Sequence, residues 1–175
     1  MCLRLTSHHA SDTATLGERM GCLLQAGDVV CLYGDLGSGK TVLTKGLAKG
    51  LGVVHEDHVR SPSFRLIHRY EGRVPVYHAD LFRLAGPADI DDIGLREVLG
   101  GEGVSIIEWA DKLDASLPME RLDIILQHVE ADTRLMTLQG HGARYLHLMK
   151  EWQDDLARRP DTCQPSRDAA EMAPP

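Results

Sequence analysis

Gly34-Asp35-Leu36-Gly37-Ser38-Gly39-Lys40-Thr41 carries the pattern G-x-x-x-x-G-K-T in full. Glycines at these spacings let the backbone curl so that its N–H groups point inward, which makes a concavity suited to phosphate oxygens. Just upstream, Gly27-Asp28 turns the chain, and Val29 to Tyr33 reads as a buried strand. Just downstream, residues 40–51 place Leu43, Leu47, Gly50 and Leu51 on one helical face, with Thr44, Lys45 and Lys49 assigned to the other and Gly52 as the stop. Strand, glycine loop and helix therefore follow in the order of a P-loop. On this reading Gly37, Ser38, Gly39, Lys40, Thr41 and Val42 bind ATP. Lys40 reaches the β- and γ-phosphates, the helix start adds its positive end, and the Thr41 hydroxyl takes one position on Mg2+. Many P-loops carry a second hydroxyl where Val42 stands, and its absence slightly weakens the hold on the α-phosphate.

The rest of the chain fits one α/β domain. Residues 11–25 have apolar positions at Leu16, Met20, Leu23 and Leu24, a helical spacing, with Ser11 or Asp12 as the cap. Residues 63–70 and 74–81 read as two strands joined at Glu71-Gly72-Arg73. An antiparallel hairpin is foreign to a purely doubly wound sheet, so a mixed parallel and antiparallel sheet flanked by helices is expected. Asp89 to Leu99 reads as a helix with acidic residues in its first turn, where the helix dipole favours them. Val104 to Ile107, residues 121–129 and residues 134–139 read as strands, and residues 142–157 as a helix. The expected P-loop domain spans residues 1–157. Residues 158–175 are rich in Pro, Asp, Arg and Ala and read as a disordered tail.

Composition narrows the function classes. The 175 residues are 43% hydrophobic and 26% charged, ordinary for a soluble domain large enough to bury a core. Two Phe leave that core to Leu, Ile, Val and Ala. A net charge of −7 argues against a protein that grips nucleic acid by itself. The four cysteines (Cys2, Cys22, Cys31 and Cys163) form no C-x-x-C pair, which fits a reducing cytoplasm and no structural zinc. No apolar run is long enough to cross a membrane.

Magnesium needs further oxygen ligands, usually acidic. Glu108 closes the apolar run Val104 to Ile107, and Asp80 closes Val76 to Ala79. Either carboxylate holds the metal or orients the attacking water, or else it is a solvated acid at a strand end. His78 alternates with Asp80 along its strand, so the two share a face. It either orients Asp80 through a hydrogen bond or is a buried structural histidine. Trp109 either packs near the nucleotide or a partner or is a core or rim residue. The histidines His8, His9, His55 and His58 lack companions that would complete a zinc site. Arg65, Arg69, Arg73 and Arg83 gather around the hairpin, either to face a partner or tRNA or as charged protection of a strand edge.

Five segments together resemble one family. Besides the P-loop, Ser61-Pro62-Ser63-Phe64, His78-Ala79-Asp80-Leu81-Phe82-Arg83 and Glu108-Trp109-Ala110 are similar to the S-P-T-F or S-P-T-Y, H-x-D-L-Y-R and E-W-P/A segments of the TsaE (YjeE) family. Asp12-Thr13-Ala14-Thr15-Leu16-Gly17-Glu18 resembles that family's first helix. The resemblance covers residues 11–139. It implies a cytoplasmic ATPase of tRNA threonylcarbamoyladenosine biosynthesis that acts on the TsaB–TsaD complex and meets tRNA only through it. It also implies that Thr41 and Glu108 hold magnesium, that Asp80 is a catalytic acid, and that Ser63 lies in a nucleotide-sensing segment. Thr13 and Arg134 are implied to stand near the nucleotide. A small-molecule or nucleotide kinase is the alternative, and a nucleotide-dependent switch with negligible turnover is a third reading.

Overall fold

The computed structural model describes residues 2–54, 59–62, 66–84 and 94–158. Seven strands form one sheet in the order β1-β7-β6-β2-β5-β4-β3. They are β1 Cys2–Ser7, β2 Val29–Tyr33, β3 Ile67–Tyr70, β4 Val76–Asp80, β5 Val104–Glu108, β6 Arg121–His128 and β7 Arg134–His141. Among the described residues four helices stand: α1 Ala10–Gly21, α2 Lys40–Gly50, the single turn α3 Leu95–Val98, and α4 Ala143–Arg158. A 3-10 segment, Ala110–Ser116, follows β5.

The sheet is mixed, as expected. β6, β2, β5 and β4 run parallel in its centre, and the pairs β1–β7, β6–β7 and β3–β4 are antiparallel. The central strands are covered on both faces, which is why β2 and β5 read as continuous apolar runs rather than alternating ones. On one face Leu16 and Met20 of α1, Leu43 and Leu47 of α2, and Leu148 and Trp152 of α4 close the larger core. On the other, Cys31, Ala79, Leu81, Ile107, Leu95 and Leu113 form a smaller one.

α1 and α2 run side by side in the same direction. A Cβ placed on Gly46 would overlap the Ala14 carbonyl oxygen, and one on Gly50 would overlap that of Glu18. Gly17 and Gly21 answer from the other helix, where a Cβ would press on the Leu43 and Leu47 carbonyls. The two backbones are therefore in contact along a seam of glycines, and both N-termini lie at the P-loop end.

Several expectations change. β1 is a strand that the sequence reading did not assign. It offers only Leu3 and Leu5 as large apolar residues, and its pairing with β7 creates it. The first helix ends at Gly21 rather than near residue 25. Its start is tied by the Asp12 carboxylate, which accepts the N–H groups of His8 and His9 at 3.0 Å each. Arg73, exposed beside the hairpin turn, is committed to the ends of two helices. Its guanidinium donates to the carbonyls of Gly21, Cys22 and Leu24 after α1 and of Gly50 at the end of α2, so one side chain closes two helix ends. Arg69 pairs with Glu71 at 3.1 Å. The last helix runs to Arg158, one residue beyond its expected end. His55, His58, Ser63, Arg65, Cys163, residues 89–93 of the helix expected over 89–99 and the tail beyond residue 158 lie outside the described residues. Among the described residues no helix is long and apolar enough to cross a membrane.

Candidate phosphate and metal site

The loop leaves β2 at Gly34 and enters α2 at Lys40. Gly39 caps that helix at φ 105°, ψ 13°, a left-handed conformation that a side chain would strain. Ser38 is buried, and its hydroxyl has no partner among the described residues. A buried polar group left unpaired inside a glycine loop is what a phosphate cradle requires when its ligand is to supply the missing bonds.

Strands β4 and β5 bring two carboxylates to the same end of the sheet. Asp80 and Glu108 are register partners at the close of these parallel strands, which places both beside the loop. Glu108 is 2% exposed, and its Oε2 accepts the Thr41 hydroxyl at 3.0 Å. Its Oε1 lies 3.3 Å from the Thr44 hydroxyl and 2.9 Å from His78 Nε2. Asp80 Oδ1 accepts the Phe82 N–H at 3.0 Å, and its Oδ2 accepts the Ser61 hydroxyl. A cavity of about 300 Å3 opens among Lys40, Thr41, Asp80, Phe82, Glu108 and Trp109.

Lys40 lies within the loop's own curve. Nζ donates to the Gly34 carbonyl at 2.6 Å and the Asp35 carbonyl at 2.9 Å, and sits 3.9 Å from the centre of the Trp109 ring. Burial lowers its pKa from the ordinary lysine value, against the opposing pull of Glu108, Asp80, Asp111 and Asp35. Trp109 adopts φ 59°, ψ 44°, a left-handed conformation that costs a non-glycine residue about 1–3 kcal/mol. Phe82 packs against it with ring centres 5.0 Å apart. The strain turns the indole over Lys40 at the mouth of the cavity.

A hydroxyl and a carboxylate 3.0 Å apart, with a second carboxylate on the neighbouring strand, are hard oxygen donors of the type magnesium takes. The residues present thus fit that ion, and Thr41 and Glu108 are the oxygen donors that would hold it. A larger cavity, about 380 Å3, opens at the opposite end of the sheet. Two of its three charged lining residues, Asp28 and Arg144, pair with each other at 2.8 Å, and Glu120 is the third.

Thr13 and Arg134 stand at the P-loop end of the sheet without lining the cavity. The Thr13 hydroxyl is buried against Ser7 at 2.8 Å. Arg134, the register partner of Ser7 on β7, donates to the carbonyls of Glu130, Ala131 and Thr133 in its own turn. Val42 does line the cavity.

Residues 7–136 match the family described as "Threonylcarbamoyl adenosine biosynthesis protein TsaE". The chain belongs to the TsaE family. It is 37% identical over 150 residues to the tRNA threonylcarbamoyladenosine biosynthesis protein TsaE of Bacillus subtilis (strain 168), covering 85% of this chain and 92% of that one. It is 41% identical over 136 residues to the protein of the same name from Treponema pallidum (strain Nichols), covering 78% of this chain and 99% of that one. The crystal structure of Bacillus subtilis YdiB superposes with a TM-score of 0.72 at 32% identity, over 89% of this chain and 96% of that one.

In this TsaE family chain two site residues differ from the sequence reading. Thr44, assigned to the outer face of its helix, is 0% exposed and touches Glu108. Its spacing from Thr41, three residues along one helix, was the available signal. His78 reaches Glu108 rather than Asp80. Sharing a face with Asp80 decided its side of the sheet, but the parallel register of β4 on β5 decides its partner.

Proposed function

We propose that this chain binds ATP with magnesium in the cavity between the glycine loop and the ends of β4 and β5, and hydrolyses it in the service of tRNA threonylcarbamoyladenosine formation. The observation that carries this reading is the Thr41–Glu108 hydrogen bond of 3.0 Å beneath the P-loop, with Asp80 beside it.

In this reading the backbone N–H groups of Gly37 to Val42 and the Ser38 hydroxyl hold phosphate oxygens. Lys40 exchanges the Gly34 and Asp35 carbonyls for phosphate. Glu108 keeps the Thr41 hydroxyl oriented, so that the oxygen's free lone pair faces the cavity. Asp80, fixed at both oxygens, orients the attacking water. Magnesium, when bound, supplies positive charge that stabilises the transferring phosphoryl group. No acceptor pocket beyond water is invoked, which separates this reading from a small-molecule kinase.

The biological output we propose is a change in a partner complex rather than a phosphorylated product. The chain acts on TsaB–TsaD, and the modification falls on adenosine 37 of tRNAs that read codons beginning with adenine. The test is reconstitution with TsaB, TsaD, tRNA, the threonylcarbamoyl donor and ATP–magnesium. The expected result is several modified tRNAs per TsaD with this chain, and a halt after early turnover when it is omitted or carries Lys40→Ala. Equal yields with and without the chain overturn the proposal, and turnover that depends on a small-molecule acceptor favours the kinase.

A further inference from the structure

Three donors surround the Glu108 carboxylate, and they are not equivalent. Thr41 donates to Oε2. Thr44 and His78 both stand at Oε1. Thr44 has a single hydroxyl proton and a competing acceptor, the Lys40 carbonyl one helical turn back. That bond is the shorter of the two, 3.0 Å against 3.3 Å. His78 is thus the one donor committed to Oε1.

The ring of His78 is 0% exposed. It is held in the middle of β4, opposite Ile106 of β5 and His68 of β3. Its Nδ1 has no partner among the described residues. A proton on Nδ1 would be a buried donor with no acceptor, and would leave the bare Nε2 facing a carboxylate. The tautomer that avoids both penalties carries its proton on Nε2, where Glu108 receives it. Burying Nδ1 unpaired is a cost that an apolar side chain at this position would not incur. Relative to an apolar side chain of similar volume, what His78 adds is the Nε2 bond.

We propose that His78 is a positioning residue: by donating from Nε2 to Glu108 Oε1 it fixes the plane of the carboxylate and presents Oε2 to Thr41 and the cation. The terminal torsion of a glutamate is broad and roughly two-fold, so a carboxylate tied at one oxygen only is free to turn. Tying Oε1 from the sheet and Oε2 from the helix removes that freedom. The role rests on the reading of this cavity as a magnesium–nucleotide site.

The test compares His78→Gln, His78→Asn and His78→Leu in the full chain. A glutamine amide nitrogen reaches the place of Nε2, an asparagine amide stops near Nδ1, and leucine fills volume with no donor. Binding of ADP is titrated in EDTA and then against Mg2+, alongside melting temperature. Nucleotide affinity in EDTA stays within about two-fold of wild type. The half-saturating Mg2+ concentration rises by about ten-fold in the Asn and Leu variants and by less than about three-fold in Gln, as expected for loss of a group that orients a metal ligand. A purely structural histidine would lower the melting temperature without moving the Mg2+ midpoint.

A folded Asn or Leu variant with a wild-type Mg2+ midpoint overturns the proposal, as does a Gln variant as impaired as Asn. Should the substitutions prevent folding, the tautomer of His78 in the wild-type protein decides by nitrogen-15 NMR. A proton on Nε2 supports the role, and a proton on Nδ1 alone overturns it. If wild-type nucleotide binding shows no response to Mg2+, the site reading itself fails and the proposal with it.

Discussion

Lys40 lies beneath Trp109, its ammonium nitrogen 3.9 Å from the ring centre. A cation against an indole face in a partly desolvated setting is worth about 1–2 kcal/mol, and the same lysine holds two loop carbonyls. Nucleotide binding must therefore break a favourable arrangement and change the surroundings of Trp109. Adding ATP with magnesium should shift the tryptophan emission. The shift should persist in Trp152→Phe, whose indole is buried in the far core, and vanish in Trp109→Phe. A signal carried by Trp152 would remove Trp109 from the site. Lys40→Ala should weaken ATP binding by at least about ten-fold, or about 1.4 kcal/mol, by equilibrium titration.

Glu108→Ala should separate binding from turnover. The carboxylate accepts the Thr41 hydroxyl, and in the proposed site it would complete the cation's oxygen ligands, which matter most as charge develops in the transition state. Hydrolysis should fall by about 100-fold while ATP affinity changes only a few-fold. Equal turnover of variant and parent would exclude Glu108 from the chemistry.

Arg73→Ala should destabilise the fold without touching the site. It strips partners from the carbonyls at the ends of both α1 and α2. Much of the side chain is exposed, so the expected loss is modest, about 1–2 kcal/mol, read as a lower urea midpoint. Arg73→Lys should recover only part of it, because one ammonium cannot span carbonyls that a planar fork reaches together.

Alkaline pH should weaken the protein in a defined window. Burial, helped by the nearby Asp123 charge, pushes the Cys31 thiol from 9.0 up to about 12, and burial pushes Tyr145 from 10.0 up to about 12. Both groups ionise first in the unfolded chain. Stability is thus complete below pH 9 and declines as the pH rises towards 12. Each group contributes up to about 1.4 kcal/mol per pH unit inside its window. Urea unfolding between about pH 9 and about pH 11 should show this decline, and Cys31→Ala should make it shallower. An unchanged slope in that variant would place the effect elsewhere.

The order of strand, loop and helix around Lys40 was legible because it is local: an apolar run, spaced glycines and a helical face lie next to one another in the chain. The hairpin β3–β4 and the mixed character of the sheet were legible for the same reason. β1 was not, because its two leucines become strand residues only when β7, more than a hundred residues away, offers its edge. Within the site, Asp80 and Glu108 were found individually from strand-end patterns, but their adjacency is a property of register. Thr44 escaped for that reason too, and so did the partner of His78, a residue the sequence had singled out. Each was placed by the geometry of its own element, and each acts on a carboxylate contributed by another.

The glycine seam between α1 and α2 bears on how this chain's length can vary. Two helices in backbone contact, with glycines answering one another at Gly17, Gly21, Gly46 and Gly50, have one allowed axial alignment. Inserting or deleting a residue between Gly17 and Gly21, or between Gly46 and Gly50, would rotate a side chain into the opposing carbonyl and push the helices apart. Because α2 begins at Lys40, that displacement would arrive directly at the phosphate loop. Changes of length are therefore confined to the connections. Alanine, elsewhere the most favourable residue for a helix, is here one the seam cannot accept.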